Sequence, residues 1–150
     1  YRAANSLIVD LSELRLIQGY SAEVVKKLRP YVCALPEAGY LQLNINTIDV
    51  EKPELLSMLI KDLAVHDAAR LLAERAQSGY DELSSFWQSS TLAEIVVAEE
   101  VKSVIQLNSD YYQLRATARI GRGHEGLTTL FKQVDKEKVK IIWRRFGTIE

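Results

Sequence analysis

The sequence has 150 residues, of which 47% are hydrophobic and 26% charged, and this is the size and composition of an ordinary folded domain. Nineteen basic residues oppose twenty acidic ones, so the net charge of -1 excludes a whole-molecule positive field that would concentrate nucleic acid or anionic membrane. These residues contain no long apolar run, so the sequence predicts no transmembrane helix and no signal peptide in them. Because Tyr1 is not a methionine, we expect a fragment whose missing N-terminus carries any targeting information.

The first part of the sequence predicts two short helices joined by a glycine-containing turn. Asp10 and Glu13 have the spacing of a capping box, so the first helix begins at Asp10 and runs to about Gly19. Ser21 caps the second helix, whose apolar residues recur every three or four positions as far as Val32, until Pro30 and Pro36 restrict further helix.

The middle of the sequence predicts further helices. Apolar and polar residues alternate loosely over residues 40–46. Thr47 and Asp49 then predict the start of a helix that extends to Ile60. A helical stripe over residues 65–76 ends at Gly79. Two short helices are expected after it, over residues 81–88 and 92–105.

From Tyr111 onward the spacing of apolar residues changes from the helical period to the strand period. Apolar positions alternate with polar ones as in a strand, and they include Tyr112, Leu114, Ala116, Ala118 and Ile120. Two more strands are predicted at residues 127–134 and 139–146, and their short connections require antiparallel pairing. The sequence therefore predicts an α+β fold, helical up to residue 107 and closed by a three-stranded antiparallel sheet in residues 108–150.

A three-stranded sheet with an apolar face needs a second layer across it. Either the preceding helices provide this cover, or the covering element is absent from the sequence. The residues expected in the sheet core or at a partner contact are Tyr112, Leu114, Ile141, Trp143 and Phe146.

No group of residues predicts catalysis. Cys33 lies in an apolar helical stretch far from either histidine, and we interpret it as a buried, inert thiol. His66 adjoins Asp67, but neighbouring helical residues do not face each other, so His66 is interpreted as a surface or capping residue. A hydrolase of unknown type stays open as an alternative without a residue to nominate. The expected protein is not an enzyme.

A nucleic-acid-binding helix-hairpin-helix module is the other alternative. Such modules hold phosphate with backbone N–H groups at a helix N-terminus, and Lys26, Lys27 and Arg29 lie near the glycine turn. The last hairpin is also basic, although Asp135 and Glu137 interrupt it. Its cations are interpreted as a solvated edge that discourages aggregation, and they are Lys132, Lys136, Lys138, Lys140, Arg144 and Arg145.

Three parts of the sequence carry a family resemblance in their order and spacing. They are Asp10-Leu-Ser-Glu-Leu-Arg with Gly19 and Leu28-Arg-Pro-Tyr-Val-Cys-Ala-Leu-Pro36; Leu43-Asn-Ile-Asn-Thr47; and Asn108-Ser-Asp-Tyr-Tyr-Gln-Leu-Arg-Ala116 with Ile142-Trp-Arg-Arg-Phe-Gly147. Together they resemble the C-terminal half of the minor pseudopilin K family, GspK, of the bacterial type II secretion system.

The resemblance implies a pilin-like fold, in which a sheet packs on a long N-terminal helix that initially spans the membrane. A helical domain, SAM-like or helix-hairpin-helix-like, is inserted between that helix and the last strands. Residues 1–107 would be part of the inserted domain and residues 108–150 the C-terminal strands. The apolar face of the sheet would then pack against a helix absent from this sequence.

The resemblance also implies a function and partners. Family members cap the tip of the periplasmic pseudopilus with minor pseudopilins I and J, and help to initiate its assembly during export of folded proteins. They are anchored in the inner membrane by the N-terminal helix and are not expected to bind nucleic acid. The helical domain would block addition of a further subunit. The family's helical domain is also associated with structural calcium. Asp10 and Glu13, acidic side chains near an element boundary, are the candidate ligands in this sequence, and helix capping is the alternative interpretation of Asp10.

Overall fold

The computed structural model describes residues 6–37, 39 and 41–147. The chain divides into two compact units, a helical unit up to Leu107 and a sheet unit from Asn108. None of the helices in the described ranges is long and apolar enough to cross a membrane.

The helical unit begins with a 3₁₀ helix, Leu11–Leu16. The Asp10 carboxylate accepts the backbone N–H of Ser12 at 2.9 Å, and the Glu13 carboxylate accepts the N–H groups of Val9 and Asp10, both at 2.9 Å. The predicted capping box is therefore confirmed. The helix ends at Leu16, before Gly19, and Gly19 itself adopts the left-handed backbone conformation of a turn.

The second helix, α1 (Ala22–Leu28), is capped as predicted, because the Ser21 hydroxyl accepts the N–H of Val24 at 3.3 Å. Beyond it, the structure corrects the interpretation of Cys33. The residue is exposed, since the helix has ended and the chain runs without regular structure, although partial burial raises the pKa of the thiol above its ordinary value.

Four more helices follow: α2 (Glu54–Leu59), α3 (Val65–Glu74), α4 (Leu83–Trp87) and α5 (Glu99–Val104). Asp49 does not start α2 directly, because its carboxylate accepts the N–H of Glu51 in a local turn and the helix begins after Pro53. The predicted helix over residues 92–105 forms only over Glu99–Val104, six of its fourteen residues. The β-branched run at residues 95–97 opposes helix formation, and turns replace the first part.

A short parallel pair of strands closes the helical unit. Strand β1 (Leu43–Asn44) pairs with β2 (Ile105–Gln106), and a 3₁₀ helix, Ile45–Thr47, follows β1 directly. The loose alternation over residues 40–46 contained β1 but did not indicate its distant partner. Tyr40, the first residue of that segment, lies outside the described residues.

The core of the helical unit is formed by buried aliphatic side chains around Phe86. The Phe86 ring is 0% exposed and packs edge-on against Tyr80 and Trp87, with ring centroids 5.6 and 4.7 Å away. The other core residues are Ile45, Ile48, Leu56, Ile60, Leu63, Ala68, Leu71, Leu72, Leu92 and Ile105.

The sheet unit consists of β3 (Tyr111–Ile120), β4 (Gly123–Gln133) and β5 (Val139–Phe146). They form an antiparallel sheet in the order β3-β4-β5, which confirms the predicted α+β class and meander. Strand β4 starts four residues earlier than predicted, because Ile120 already pairs with Gly123. Gly121 accommodates the tight turn between them with a φ of 61°.

Candidate interaction site on the sheet

One face of the sheet is largely apolar, and we call it the apolar face. Residues directly opposite each other on neighbouring strands share a face, so the register Tyr112–Phe131–Ile141 defines one row of it. The other apolar members of this face are Leu114, Ala116, Ala118, Ile120, Leu127, Val139 and Phe146, and its charged members are Glu125 and Arg144.

The apolar face is exposed. Leu114 is 46% exposed, Phe146 70% and Ile120 86%, whereas Thr129 at the centre of the same face is 1% exposed. Several large apolar side chains presented side by side mark an interaction surface, because a folded protein rarely leaves such a patch in water. The expectation of an uncovered apolar face therefore agrees with these exposed fractions.

A register shift in β5 divides the residues predicted for the sheet core. Leu130 pairs with Trp143 and Phe131 pairs with Ile141, so the register skips Ile142. An extra residue of this kind reverses the face on which the following side chains lie. As a result Tyr112, Leu114, Ile141 and Phe146 share the apolar face, and Trp143 lies on the opposite face, which strict alternation along β5 did not indicate.

The opposite face of the sheet carries cations, and we call it the basic face. The guanidinium of Arg145 lies 5.7 Å from the centre of the Trp143 ring, and the Lys132 ammonium lies 5.4 Å from the centre of the Tyr111 ring. Its basic residues are Arg115, Arg119, Lys132, Lys140 and Arg145.

In the helical unit, two polar side chains tie distant segments together. The side-chain carbonyl of Asn46 accepts the backbone N–H of Tyr80 at 2.7 Å. Its side-chain NH₂ group donates to the backbone carbonyls of Tyr80 at 3.0 Å and Leu107 at 3.5 Å. Arg75 donates to the carbonyl of Ile45 and, at 2.9 Å, to that of Ile48. No local pattern in the sequence indicates these long-range contacts.

Tyr80 lies beside this network. Burial raises the pKa of its phenol, an effect that Arg75 partly offsets and Glu74 reinforces. A raised pKa favours the neutral phenol in the folded state. The Tyr80 phenol therefore contributes its full stability below the ordinary tyrosine pKa. This contribution is lost as the pH rises through the pKa of the phenol in the folded state.

Asp10 and Glu13 are the residues predicted to bind calcium. Ca²⁺ takes six to eight oxygen ligands, whereas one oxygen of each carboxylate already accepts backbone N–H groups of the same turn. Within the described ranges, no three acidic, histidine or cysteine side chains come together as a metal group. Both residues act as helix caps here, and calcium binding stays a prediction.

Replacing Asp10 with alanine should therefore remove a cap rather than a metal ligand. We expect the free energy of unfolding to fall by roughly 1 kcal/mol, the usual cost of a lost N-cap, because Ser12 loses its acceptor. Thermal unfolding of the variant and the parent, with calcium and with a chelator, measures this. A loss of stability seen only in calcium would identify a metal ligand instead.

The remaining candidate residues are His66 and the basic residues near Gly19. The prediction that His66 and Asp67 do not face each other is corrected, because the His66 Nε2 lies 3.2 Å from the Asp67 carboxylate. The imidazole is nevertheless 81% exposed, and Asp67 also pairs with Arg70 at 2.8 Å. Lys27 pairs with Glu23 at 3.1 Å along α1, as solvated helical charges commonly do.

Comparison with known proteins identifies relatives of the whole chain. Two family models described as Type II secretion system (T2SS), protein K match residues 1–37 and 43–108. Type II secretion system protein K of Aeromonas hydrophila is 32% identical over 100% of this chain, and the match covers 45% of that protein. Protein K of Pectobacterium carotovorum is 26% identical over 98% of the chain and 44% of its own length.

A solved structure shows the same fold. A chain in the crystal structure of the GspK-GspI-GspJ complex from the enterotoxigenic Escherichia coli type 2 secretion system superposes with a TM-score of 0.82. It is 30% identical, and the match covers 99% of this chain and 51% of that one. The chain thus spans about half the length of the proteins it matches. From these matches together, the chain belongs to the type II secretion system protein K family.

Proposed function

We propose that this chain forms the later part of a minor pseudopilin K, which assembles with minor pseudopilins I and J at the tip of the pseudopilus. There it would initiate or cap the pseudopilus during the export of folded proteins, without catalysis. The observation that carries the proposal is the exposed apolar face of the sheet. The solved relative supports the choice of partners, since its complex contains GspI and GspJ.

The element proposed to cover the apolar face is the long N-terminal helix of the same protein. The relatives are about twice as long as this chain, so they contain residues from which such a helix can come. A ten-residue strand is about 34 Å long, and a helix of about 20 residues spans about 30 Å, so one helix would cover the face along its length. The helix would also anchor the protein in the inner membrane, with both units in the periplasm.

The helical unit is proposed to be the inserted domain of this pilin-like protein, of the SAM-like or helix-hairpin-helix-like type. Its bulk would prevent a further subunit from adding above it. The nucleic-acid-binding alternative is not favoured, because family membership and the ion pair at Lys27 both point away from a phosphate site around Gly19. Any calcium in this domain would need ligands in addition to the capping pair Asp10 and Glu13, because Ca²⁺ takes six to eight oxygen ligands.

Phe146→Asp in the full-length protein, co-expressed with pseudopilins I and J, tests this proposal. Because Phe146 is already 70% exposed, the substitution should cost the sheet unit little by itself. A carboxylate placed against the covering helix is costly to bury, so we expect recovery of the ternary complex to fall at least tenfold.

Thr117→Asp is the matched control. Thr117 pairs with Gly126 on the basic face, so the same charge is introduced into the sheet without entering the apolar face. Unfolding curves of both variants confirm that the sheet still folds. Normal recovery of the complex with Phe146→Asp, or equal loss with Thr117→Asp, would contradict the proposed use of the apolar face.

A further inference from the structure

The apolar face of the sheet contains an arginine between apolar side chains. Arg144 of β5 pairs with Thr129 of β4, which pairs with Leu114 of β3, so the three residues form one row of this face. Along β5, the nearest paired residues on the same face are Ile141 before Arg144 and Phe146 after it. The strand β5 lies at an edge of the sheet, but the register places Arg144 on the apolar face, between two of its apolar members.

Arg144 has no ion-pair partner in the part of the chain that the structure describes. The residue is exposed, and no hydrogen bond or ion pair joins its side chain to another described residue. Glu125 of β4 is the acidic member of the apolar face, four residues from Thr129. At the spacings of a sheet, this places the Cα atoms of Glu125 and Arg144 roughly 14 Å apart. The guanidinium therefore presents its charge on a largely apolar surface.

A layer that covers the apolar face must pass over this guanidinium. Ile141 is 42% exposed and Phe146 is 70% exposed, so an element that shields both from water also lies across Arg144 between them. Arginine keeps its charge in proteins, and burying a charge without a partner is very costly. A covering helix with only apolar side chains on its inner side is therefore disfavoured at this position.

We propose that the covering helix carries an aspartate or glutamate opposite Arg144, and that this ion pair fixes the position of the helix along the sheet. The proposal rests on the function proposed above, in which the N-terminal helix of the same protein covers the apolar face. A guanidinium binds a carboxylate through two parallel hydrogen bonds, which an ammonium group does not reproduce. Apolar contacts alone allow a helix to slide along a sheet, whereas a buried polar group selects one register.

The position of Arg144 also predicts the residues around this acid. Ile141 and Phe146 flank Arg144 along β5, and helix residues three or four positions apart lie on the same side of the helix. The acid should therefore have apolar residues three or four positions before and after it, which contact Ile141 and Phe146. The sequence of the full-length protein provides this check. A covering helix without an acid on the side that faces the sheet would overturn the proposal.

Arg144→Met in the full-length protein, co-expressed with pseudopilins I and J, tests the ion pair. Methionine fills much of the same space without the charge, so the substitution leaves the acid of the helix buried and unpaired. We expect recovery of the ternary complex to fall at least tenfold. In the 150-residue chain alone, where the face is exposed, the same substitution should leave the urea midpoint of unfolding nearly unchanged.

Charge reversal separates an ion pair from a purely structural role of Arg144. Arg144→Glu should lower recovery at least as much as Arg144→Met, because it places two acids against each other. Replacing the acid of the helix with arginine in the same protein should restore recovery to within about threefold of the parent. Two independent defects would instead add to each other.

Glu125→Met is the matched control. It removes the other charge of the apolar face, beyond the last pair between β4 and β5, Leu127 with Phe146, where the sheet has only two strands. The exposed Glu125 carboxylate can stay in water at this end of the sheet. Recovery of the complex should therefore change by less than about twofold.

Three results would overturn the proposal. The first is unchanged or higher recovery with Arg144→Met, which would make Arg144 an inward-pointing charge that only discourages pairing of sheet edges. The second is an equal loss with Glu125→Met, and the third is a failure of every reversed acid on the helix to restore Arg144→Glu. If Phe146→Asp disrupts the complex while Arg144→Met does not, the function proposed above stands and the ion pair alone is wrong.

Discussion

Gly79→Ala is expected to lower the free energy of unfolding of the helical unit by about 2–4 kcal/mol. Gly79 has a φ of 85°, where an L side chain costs roughly 1–2 kcal/mol. A methyl group at this position would also lie 2.7 Å from the Asn46 side chain, closer than real contacts allow. Asn46 must then move, and its hydrogen bonds with Tyr80 and Leu107 weaken or break.

Gly19→Ala provides a matched control for this prediction. Gly19 has a similar φ of 95°, but nothing lies within 4 Å of the added methyl, so only the backbone cost of roughly 1 kcal/mol is expected. Chemical denaturation in a Trp143→Phe background, followed through Trp87, reports the helical unit separately from the sheet. Equal losses of unfolding free energy for Gly79→Ala and Gly19→Ala would show that Asn46 moves without a cost in stability, which contradicts the expected result.

Local signals in the sequence predicted most of the helices and strands. The capping pair Asp10 and Glu13 and the cap at Ser21 act between residues two to four positions apart, so the sequence alone contains the whole interaction. The alternation of apolar and polar residues from Tyr111 to Ile120 likewise predicted β3 with its bounds. The short turns that follow then predicted which strands pair.

Interactions between distant residues were not predictable in the same way. Asn46 resembles a local turn residue in sequence, but its side chain contacts Tyr80 and Leu107, 34 and 61 positions away. The pairing of β1 with β2 joins segments equally far apart. Two-residue strands carry too little periodicity to reveal a partner at that distance.

The candidate site was predictable in part. Tyr112 and Leu114 follow from the alternation of apolar residues along β3, and they share the apolar face with Ile141 and Phe146. Strict alternation along β5 would place Ile141 and Phe146 on opposite faces. The position of Trp143 depends on the extra residue at Ile142, which no local signal in β5 marks. The basic face could not be recognised for a related reason. Grouping its cations requires the register of all three strands, whereas the sequence shows only that the last hairpin is basic.

The interactions of Asn46 and Arg75 explain how a helical unit with such short helices holds one arrangement. Helices of five to ten residues are marginal by themselves and depend on tertiary contacts. Asn46 joins the segment after β1 to the turn before α4 and to the last residue of the unit. If the unit prevents addition of further subunits, as proposed, such cross-links give it the rigidity that steric exclusion needs.

Arg75→Ala is the second substitution expected to have a large effect, with a loss of roughly 3 kcal/mol in the stability of the helical unit. The Arg75 guanidinium donates to the carbonyls of Ile45, the first residue of the 3₁₀ helix Ile45–Thr47, and Ile48, the residue directly after it. Both of those residues are buried, so water reaches the freed carbonyls poorly. Hydrogen bonds from a charged donor contribute about 1.5–3 kcal/mol each, and an unpaired carbonyl costs a comparable amount.

Arg70→Ala on helix α3 separates this effect from a general loss of positive charge. The Arg70 side chain is 56% exposed and its ion pair with Asp67 is a surface one, so the expected cost is about 0.5 kcal/mol or less. The loss of stability for Arg75→Lys should lie between those of the two alanine variants, because a single ammonium cannot donate to both carbonyls as the planar guanidinium does. The same denaturation assay through Trp87 measures all three variants. If Arg75→Ala costs no more than Arg70→Ala, the 3₁₀ helix does not depend on the guanidinium, and the rigidity argued for this unit loses its main support.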